Sequence, residues 1–159
     1  MTKVIHLPSG EPVLIDDQDL QKVSQFRWHK HIGYACASVP ARFIQQFPMK
    51  RLRMHRLILD AEEGDIVDHK NRNRLDNRRC NLRFCSKGEN AFNRRKALGK
   101  ASRFKGVTWH QGKRRWQARI TWKNADRFLG YFADEQDAGT VYNVAAQLLF
   151  GDFAHLNRI

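Results

Sequence analysis

Four side chains in the middle of this 159-residue chain have types and spacings suited to one reaction: Asp68, His69, Asn81 and Asn90. Hydrolysis of a phosphodiester needs a base to deprotonate water and a cation to neutralise charge growing on the phosphate and the leaving oxygen. His69 is the candidate base. An imidazole does this work when one nitrogen keeps its lone pair and the other is held as N–H; an amide oxygen accepting from that N–H fixes the tautomer, and Asn81 can supply it. Asp68 offers a carboxylate and Asn90 an amide oxygen, two hard ligands for one Mg²⁺ (or Mn²⁺) per site that keeps most of its waters. Around them Arg72, Arg74, Arg78, Arg79 and Arg83 are candidate phosphate clamps.

Short elements must hold these groups. Residues 66–69 form a β-like run, residues 71–77 are dense in turn-formers, and residues 82–85 form a second short run. Ser86 and Glu89 stand in a capping-box arrangement, which predicts a helix from Lys87 to about residue 97. On it Asn90, Asn93 and Arg94 share one face, which adds Arg94 to the candidate DNA contacts. The unit reads strand, loop, strand, helix. Ahead of it, residues 1–58 read as short strands (4–7, 13–15, 34–39 and 51–57) separated by Pro and Gly turns, with one short helix within residues 16–26.

This pattern resembles the HNH nucleases, the His-Me finger or ββα-metal group, and in particular the phage branch whose last motif residue is Asn. The resemblance rests on Met54-His55-Arg56-Leu57-Ile58, the Val67-Asp68-His69 triplet, the Asn73-Arg74-Leu75-Asp76-Asn77 loop, Asn81-Leu82-Arg83 and Glu89-Asn90. It implies that Asp68 and Asn90 are metal ligands, His69 the general base and Asn81 the residue that orients it. His55 occupies a hallmark position of that group, with packing, phosphate contact and metal binding all open to it and a structural role preferred.

A second pattern begins at Phe104. Strict alternation over residues 115–122 puts Trp116, Ala118, Ile120 and Trp122 on one face and Arg115, Gln117, Arg119 and Thr121 on the other. Ala138, Val141, Tyr142, Ala145, Leu148 and Leu149 recur at helical spacing, so a helix is expected to cover the apolar face and leave the cationic one for a partner. Trp116 and Trp122 read as core, whereas Trp109 and Phe128 are open to packing or to DNA contact. A small sheet of this kind can enter the major groove. The segment is similar to the plant ethylene-response-factor (APETALA-type) DNA-binding domain, through Lys105-Gly106-Val107, Trp116, Ala118, Ile120, Leu129-Gly130, Phe132, Asp137-Ala138, Tyr142, Ala145-Ala146 and the closing residues 151–157. That resemblance implies a three-stranded sheet that reads DNA, with Lys105, Thr108, His110, Arg119, Thr121 and Phe128 at readout positions; Arg115 and Arg127 join them as cationic neighbours. Thr108, Thr121 and Asp126 replace plant arginines, so the plant target preference does not transfer.

Charge agrees with this division. The 29 Lys and Arg against 16 Asp and Glu give a net charge of +13, which favours polyanions as partners. Residues 1–49 are nearly neutral, while residues 90–125 contain eleven Lys or Arg and no acid. Three cysteines without a CxxC pair argue against a disulfide framework or a four-cysteine zinc site. No apolar run reaches the length of a signal peptide or membrane span. The expectations are therefore an α+β chain with a β-rich leader and nuclease unit over 1–98 (core 55–98), a linker at 99–102, and a DNA-binding domain over 103–159. The expected activity is divalent-metal-dependent cleavage of double-stranded DNA by a phage free-standing homing or nicking endonuclease. The expected compartment is the cytoplasm of a bacterium or phage-infected cell, with no membrane partner and no small-molecule cofactor beyond the metal. The alternative is a sequence-specific DNA-binding regulator whose nuclease unit is silent; binding to RNA is a third possibility, disfavoured because such a sheet fits A-form RNA poorly.

Overall fold

The computed structural model describes residues 1–43, 45, 51–93 and 101–159. They form a mixed α and β protein of several small antiparallel sheets and short helices, which is the α+β class expected. The chain divides into two compact units, Met1–Lys87 and Gly88–Ile159.

In the first unit, β1 (Thr2–His6) and β2 (Pro12–Asp16) make a hairpin. Alternation along β2 buries Val13 and Ile15 completely, which fixes its register by the face those side chains must occupy. Strands β3 (His29–His31) and β4 (Tyr34–Ser38) turn at Ile32 and Gly33, both at positive φ, and β5 (Arg51–Arg53) adds to β4. Within residues 16–26 a 3₁₀ turn (Asp17–Asp19) leads into the helix α1 (Leu20–Val23). The run expected as a strand over 51–57 is a strand only to Arg53; Met54–Ile58 is the helix α2. Its buried residues are Met54, His55, Leu57 and Ile58, and three of them, at i, i+3 and i+4, form the stripe of a helix, a spacing that strand alternation cannot bury. Strands β6 (Ile66–His69) and β7 (Leu82–Cys85) pair with Asp68 opposite Arg83 and His69 opposite Leu82. One apolar core, including Val13, Ile15, Trp28, Leu52, Met54, Ile58 and Leu82, serves the hairpin, the β3–β5 sheet, α2 and β7 together.

The helix α3 (Lys87–Phe92) starts where the capping box predicts; the rest of its expected length, Arg94 included, lies outside the described residues, as do Gly99 and Lys100 of the linker. The break between the units falls at the start of α3, ahead of 99–102, because Phe92 stacks on Phe150 at 4.0 Å and lies 5.7 Å from Trp122.

The second unit is the sheet β8 (Val107–His110), β9 (Arg115–Trp122) and β10 (Ala125–Phe132), in the order β10-β9-β8, covered on one side by α4 (Glu135–Phe150). Asp134 caps α4, its Oδ1 accepting from the amides of Gln136 and Asp137. Lys123 and Asn124, both at positive φ, make the two-residue turn between β9 and β10. Ala138, Tyr142 and Ala146 of α4 are buried with Ala118 and Ile120, and Trp116 and Trp122 pack at the edges of this core as expected. Leu148 does not: it is 81% exposed on the opposite side of the helix, and Ala146 takes the inward position. Among the described residues no helix is long and apolar enough to cross a membrane.

Gly106 marks the closest approach of helix and sheet. Its φ is +75°, and a Cβ there would lie 2.0 Å from Cδ2 of Tyr142. Gly106→Ala combines a left-handed backbone penalty with a clash on a buried ring. It should lower the stability of the second unit by about 2 kcal/mol or more in urea unfolding, whereas Gly10→Ala, with open space around it, loses only the backbone term.

Candidate active site

The site is built on the loop between β6 and β7. Its backbone closes at the neck, where the Lys70 amide donates to the Asn81 carbonyl (2.8 Å) and the Arg72 amide to the His69 carbonyl (2.9 Å). Arg72 takes the left-handed conformation this turn needs (φ 63°). Asn71 and Asn73 each accept from an amide two residues on, the Asx turns that make asparagine a loop-former. At the centre is Asp76, only 1% exposed. Its carboxylate accepts from Asn71 Nδ2 (2.8 Å) and from Arg78 Nε (2.8 Å) and Nη2 (2.7 Å). The Arg78 guanidinium, followed by the Asn71 amide, holds the carboxyl below its ordinary value despite burial.

The leader braces this loop. The amide of Leu14 donates to the Leu75 carbonyl (2.9 Å), and the amide of Asn77 to the Leu14 carbonyl (2.8 Å), so β2 pairs with the loop. Asp16 accepts from the Arg79 amide (2.8 Å), and the buried Asp19 takes the Arg79 guanidinium through Nε (2.9 Å) and Nη2 (2.7 Å). Arg78 and Arg79, expected as phosphate clamps, pair with the carboxylates of Asp76 and Asp19 and hold the loop closed, with 33% and 39% of their side chains exposed. Arg72 is half-buried, and Arg74 remains exposed, its guanidinium 4.4 Å from the Tyr34 ring centroid.

His69, 4% exposed, ends β6 beside Asp68. Its ring lies 4.9 Å from that of His55, edge to face, and 6.1 Å from that of Tyr34. Burial moves the His69 pKa below the ordinary imidazole value, against the opposing influence of Asn77, Asp68 and Asp76, so the ring is neutral at physiological pH. The side-chain oxygen against its Nε2 is Oδ1 of Asn77, at 3.4 Å. Asn81, expected there, spends its carboxamide elsewhere: Oδ1 accepts from the Asn71 amide (2.9 Å) and Nδ2 donates to the Asp76 carbonyl (2.7 Å). Both Asn81 contacts span the loop. Asn77 was legible only as one more turn-former, and no spacing rule singled it out.

Asp68 is 8% exposed, and its Oδ2 accepts from Arg83 Nη2 at 2.8 Å and Nε at 3.2 Å. Arg83, read as a possible phosphate clamp, thus orients the carboxylate across the β6–β7 ladder. Asn90 stands half-buried on α3, in the second unit. A carboxylate and an amide oxygen are the donor chemistry a hard divalent ion takes when waters and substrate complete its shell. No group of three or more His, Cys, Asp or Glu among the described residues forms a closed protein cage for a metal.

His55 is 3% exposed, and burial first, then the neighbouring His69, push its pKa down to about 3. Two residues the sequence did not single out complete this wall: Tyr34, 5.2 Å from His55, and Arg53, whose guanidinium lies 5.1 Å over the Tyr34 ring.

On the second unit, Thr108, Arg115, Arg119, Thr121 and Phe128 are exposed, and cross-strand register sets Phe128 against Arg119, Thr108 against Gln117 and His110 against Arg115. Tyr131 joins them, 4.9 Å from Phe128 and 5.3 Å from His110. Three positions differ from expectation. The Lys105 ammonium donates to the Phe92 carbonyl (2.6 Å) and its amide to Asn157, so Lys105 ties elements together. Arg127 is registered opposite Ile120, on the helix-covered side, and a bulge between Phe128 and Gly130 shifts the pattern after it. Arg119 is exposed but paired with Asp126 at 2.9 Å.

A family profile described as HNH endonuclease matches residues 53–92, which run from the last residue of β5 through α2 and the β6–β7 hairpin to the end of α3. An uncharacterized HNH endonuclease, L560, of Acanthamoeba polyphaga mimivirus is 28% identical over 144 residues, covering 86% of this chain and 70% of the relative. Two AP2-like ethylene-responsive transcription factors of Arabidopsis thaliana, AIL7 and AIL6, are each 47% identical over 58 residues, 33% of this chain and 12% and 10% of their own lengths. No solved structure matches.

The buried His55 gives the first unit a pH dependence. Its folded pKa lies below the unfolded value, so below about pH 6.5 the unfolded chain takes up a proton that the folded chain does not. That stability contribution is complete above 6.5 and is lost as pH falls towards 3. His55→Phe should narrow the difference in urea-unfolding free energy between pH 7 and pH 5 by about 2 kcal/mol, at about 1.4 kcal/mol per pKa unit. With its β6–β7 loop, its neutral His69 beside Asp68 and these matches, the chain carries an HNH endonuclease domain over residues 53–92 and is a nuclease, a hydrolase of phosphodiester bonds.

Proposed function

We propose that this nuclease is a divalent-metal-dependent endonuclease of duplex DNA that introduces nicks, as a phage free-standing homing or nicking enzyme does. Its nuclease part lies within residues 1–98, followed by a linker at 99–102 and a DNA-binding part over 103–159. The observation that carries the reading is the buried imidazole of His69, which follows the buried Asp68 at the end of β6, inside the segment matched to HNH endonucleases.

In this reading His69 takes the proton from the attacking water and stores it as imidazolium. Asp68, oriented by Arg83, and Asn90 hold one Mg²⁺ or Mn²⁺. When bound, the ion supplies positive charge against the negative charge that develops on the phosphate and the leaving 3′ oxygen. Arg74 and Arg53, exposed on Tyr34 beside the two imidazoles, contact the backbone of the bound strand. The exposed face of β8–β10, with Thr108, His110, Arg115, Arg119, Thr121, Phe128 and Tyr131, lies against the duplex. The similarity of this segment to named transcription factors supports that use, as does the excess of basic residues in the chain. One nuclease centre per chain attacks one strand at a time, hence the preference for nicking.

Supercoiled plasmid incubated with the protein and Mg²⁺ should convert to the nicked circle before any linear form accumulates, and chelator should abolish the conversion. Tight, salt-sensitive binding without cleavage under Mg²⁺ or Mn²⁺ would instead identify a DNA-binding protein with a silent nuclease unit.

A further inference from the structure

Asn77 carries an unusual combination of properties. Its side chain is 0% exposed, and its Nδ2 has no hydrogen-bond partner among the described residues. Its one side-chain hydrogen bond there is the 3.4 Å contact from Oδ1 to His69 Nε2. A buried carboxamide with half its hydrogen-bonding capacity unused is costly in an interior, and such a group normally reflects a functional constraint. The neighbouring polar groups of the loop are committed elsewhere: Asp76 to Arg78 and Asn71, Asn81 to Asn71 and the Asp76 carbonyl.

We propose that Asn77 is the positioning residue that fixes the tautomer of His69, and that strand β2 holds it in place through the Leu14 carbonyl. The inference rests on the reading of His69 as the general base. An amide oxygen can only accept, so the contact requires hydrogen on Nε2 and puts the lone pair on Nδ1. Nδ1 then receives the proton from water, while Nε2–H keeps its acceptor as the ring becomes cationic. The contact, at 3.4 Å, has room to shorten as that charge develops. The Asn77 amide donates to the Leu14 carbonyl, and the Leu14 amide to the carbonyl of Leu75 two residues earlier, so the backbone leading into Asn77 is held by a strand whose Val13 and Ile15 are wholly buried. The leader thus has a catalytic consequence: it sets the height of Asn77 against the imidazole. The unused Nδ2 makes a sharp variant possible, since Asn77→Asp keeps an acceptor and loses no hydrogen bond.

The test uses the full chain labelled with ¹⁵N-histidine, read by two-bond ¹H–¹⁵N correlation at a pH where the rings are neutral, without metal or DNA. Wild type should show His69 as the Nε2–H tautomer. Asn77→Leu, similar in volume and without an acceptor, should lose that preference. In plasmid nicking its kcat should fall about 100-fold with KM changed by no more than about 3-fold, and Asn77→Asp should restore both the tautomer and most of kcat. A wild-type Nδ1–H tautomer, or an unchanged Nε2–H tautomer in folded Asn77→Leu, overturns the proposal; if Asn77→Leu does not fold, the tautomers of wild type and Asn77→Asp decide. Absence of cleavage by wild type together with an intact Nε2–H tautomer would remove the nuclease reading and leave the Asn77 contact standing.

Discussion

Leu14 joins two parts of the chain that the function cannot keep apart. Its carbonyl and amide reach residues 77 and 75, so a leader strand with no chemistry of its own becomes the edge on which the β6–β7 loop is strung. A loop of this length, rich in asparagine and arginine, would otherwise sample many conformations, and ordering each residue costs about 1–2 kcal/mol of backbone entropy. The constraint is met by burying Val13 and Ile15 on one side of β2 and by satisfying Asp76, Asn71 and Asn81 among themselves on the loop. Asp16 and Asp19 then secure the far end through Arg79. His69 at the end of β6 inherits its position from these contacts.

Charge is partitioned by the same logic. Arginines that face carboxylates inside the first unit (Arg78 on Asp76, Arg79 on Asp19, Arg83 on Asp68) fix geometry, and their charge is already answered. Removing one partner of such a pair leaves a buried ion, which is more expensive than the pair is valuable. Arg53 and Arg74, stacked on Tyr34 at the surface, carry unspent charge beside the imidazoles. In the second unit Lys105 likewise serves structure, while Arg115 stays exposed. Net charge therefore points to a polyanion but overstates how many cations can touch it.

The strand, loop, strand, helix order around Asp68 and His69 was legible because each piece is local: a short β-like run, turn-forming asparagines, a capping box. The alternation of β9 was legible for the same reason, and the burial of Ala118 and Ile120, with Trp116 and Trp122 partly buried against them, follows from it. What escaped depends on contacts between residues distant in sequence. A short apolar run did not distinguish α2 from a strand, since five residues fit either until the core they join is known. The register that sets Arg127 opposite Ile120, and the β10 bulge that follows at Phe128–Gly130, leave no mark in residue types. Asn77 and Asn81 are chemically identical, and only the pairing of β2 with the loop decides which one faces the imidazole.

The proposed role of His69 as the base of a metal-dependent phosphodiester hydrolysis is tested by the single-turnover nicking rate of His69→Ala against wild type in Mg²⁺ at equal DNA occupancy. The rate should fall about 10²–10⁴-fold with duplex binding retained. A His69→Ala protein that nicks within a few-fold of wild type would contradict that role.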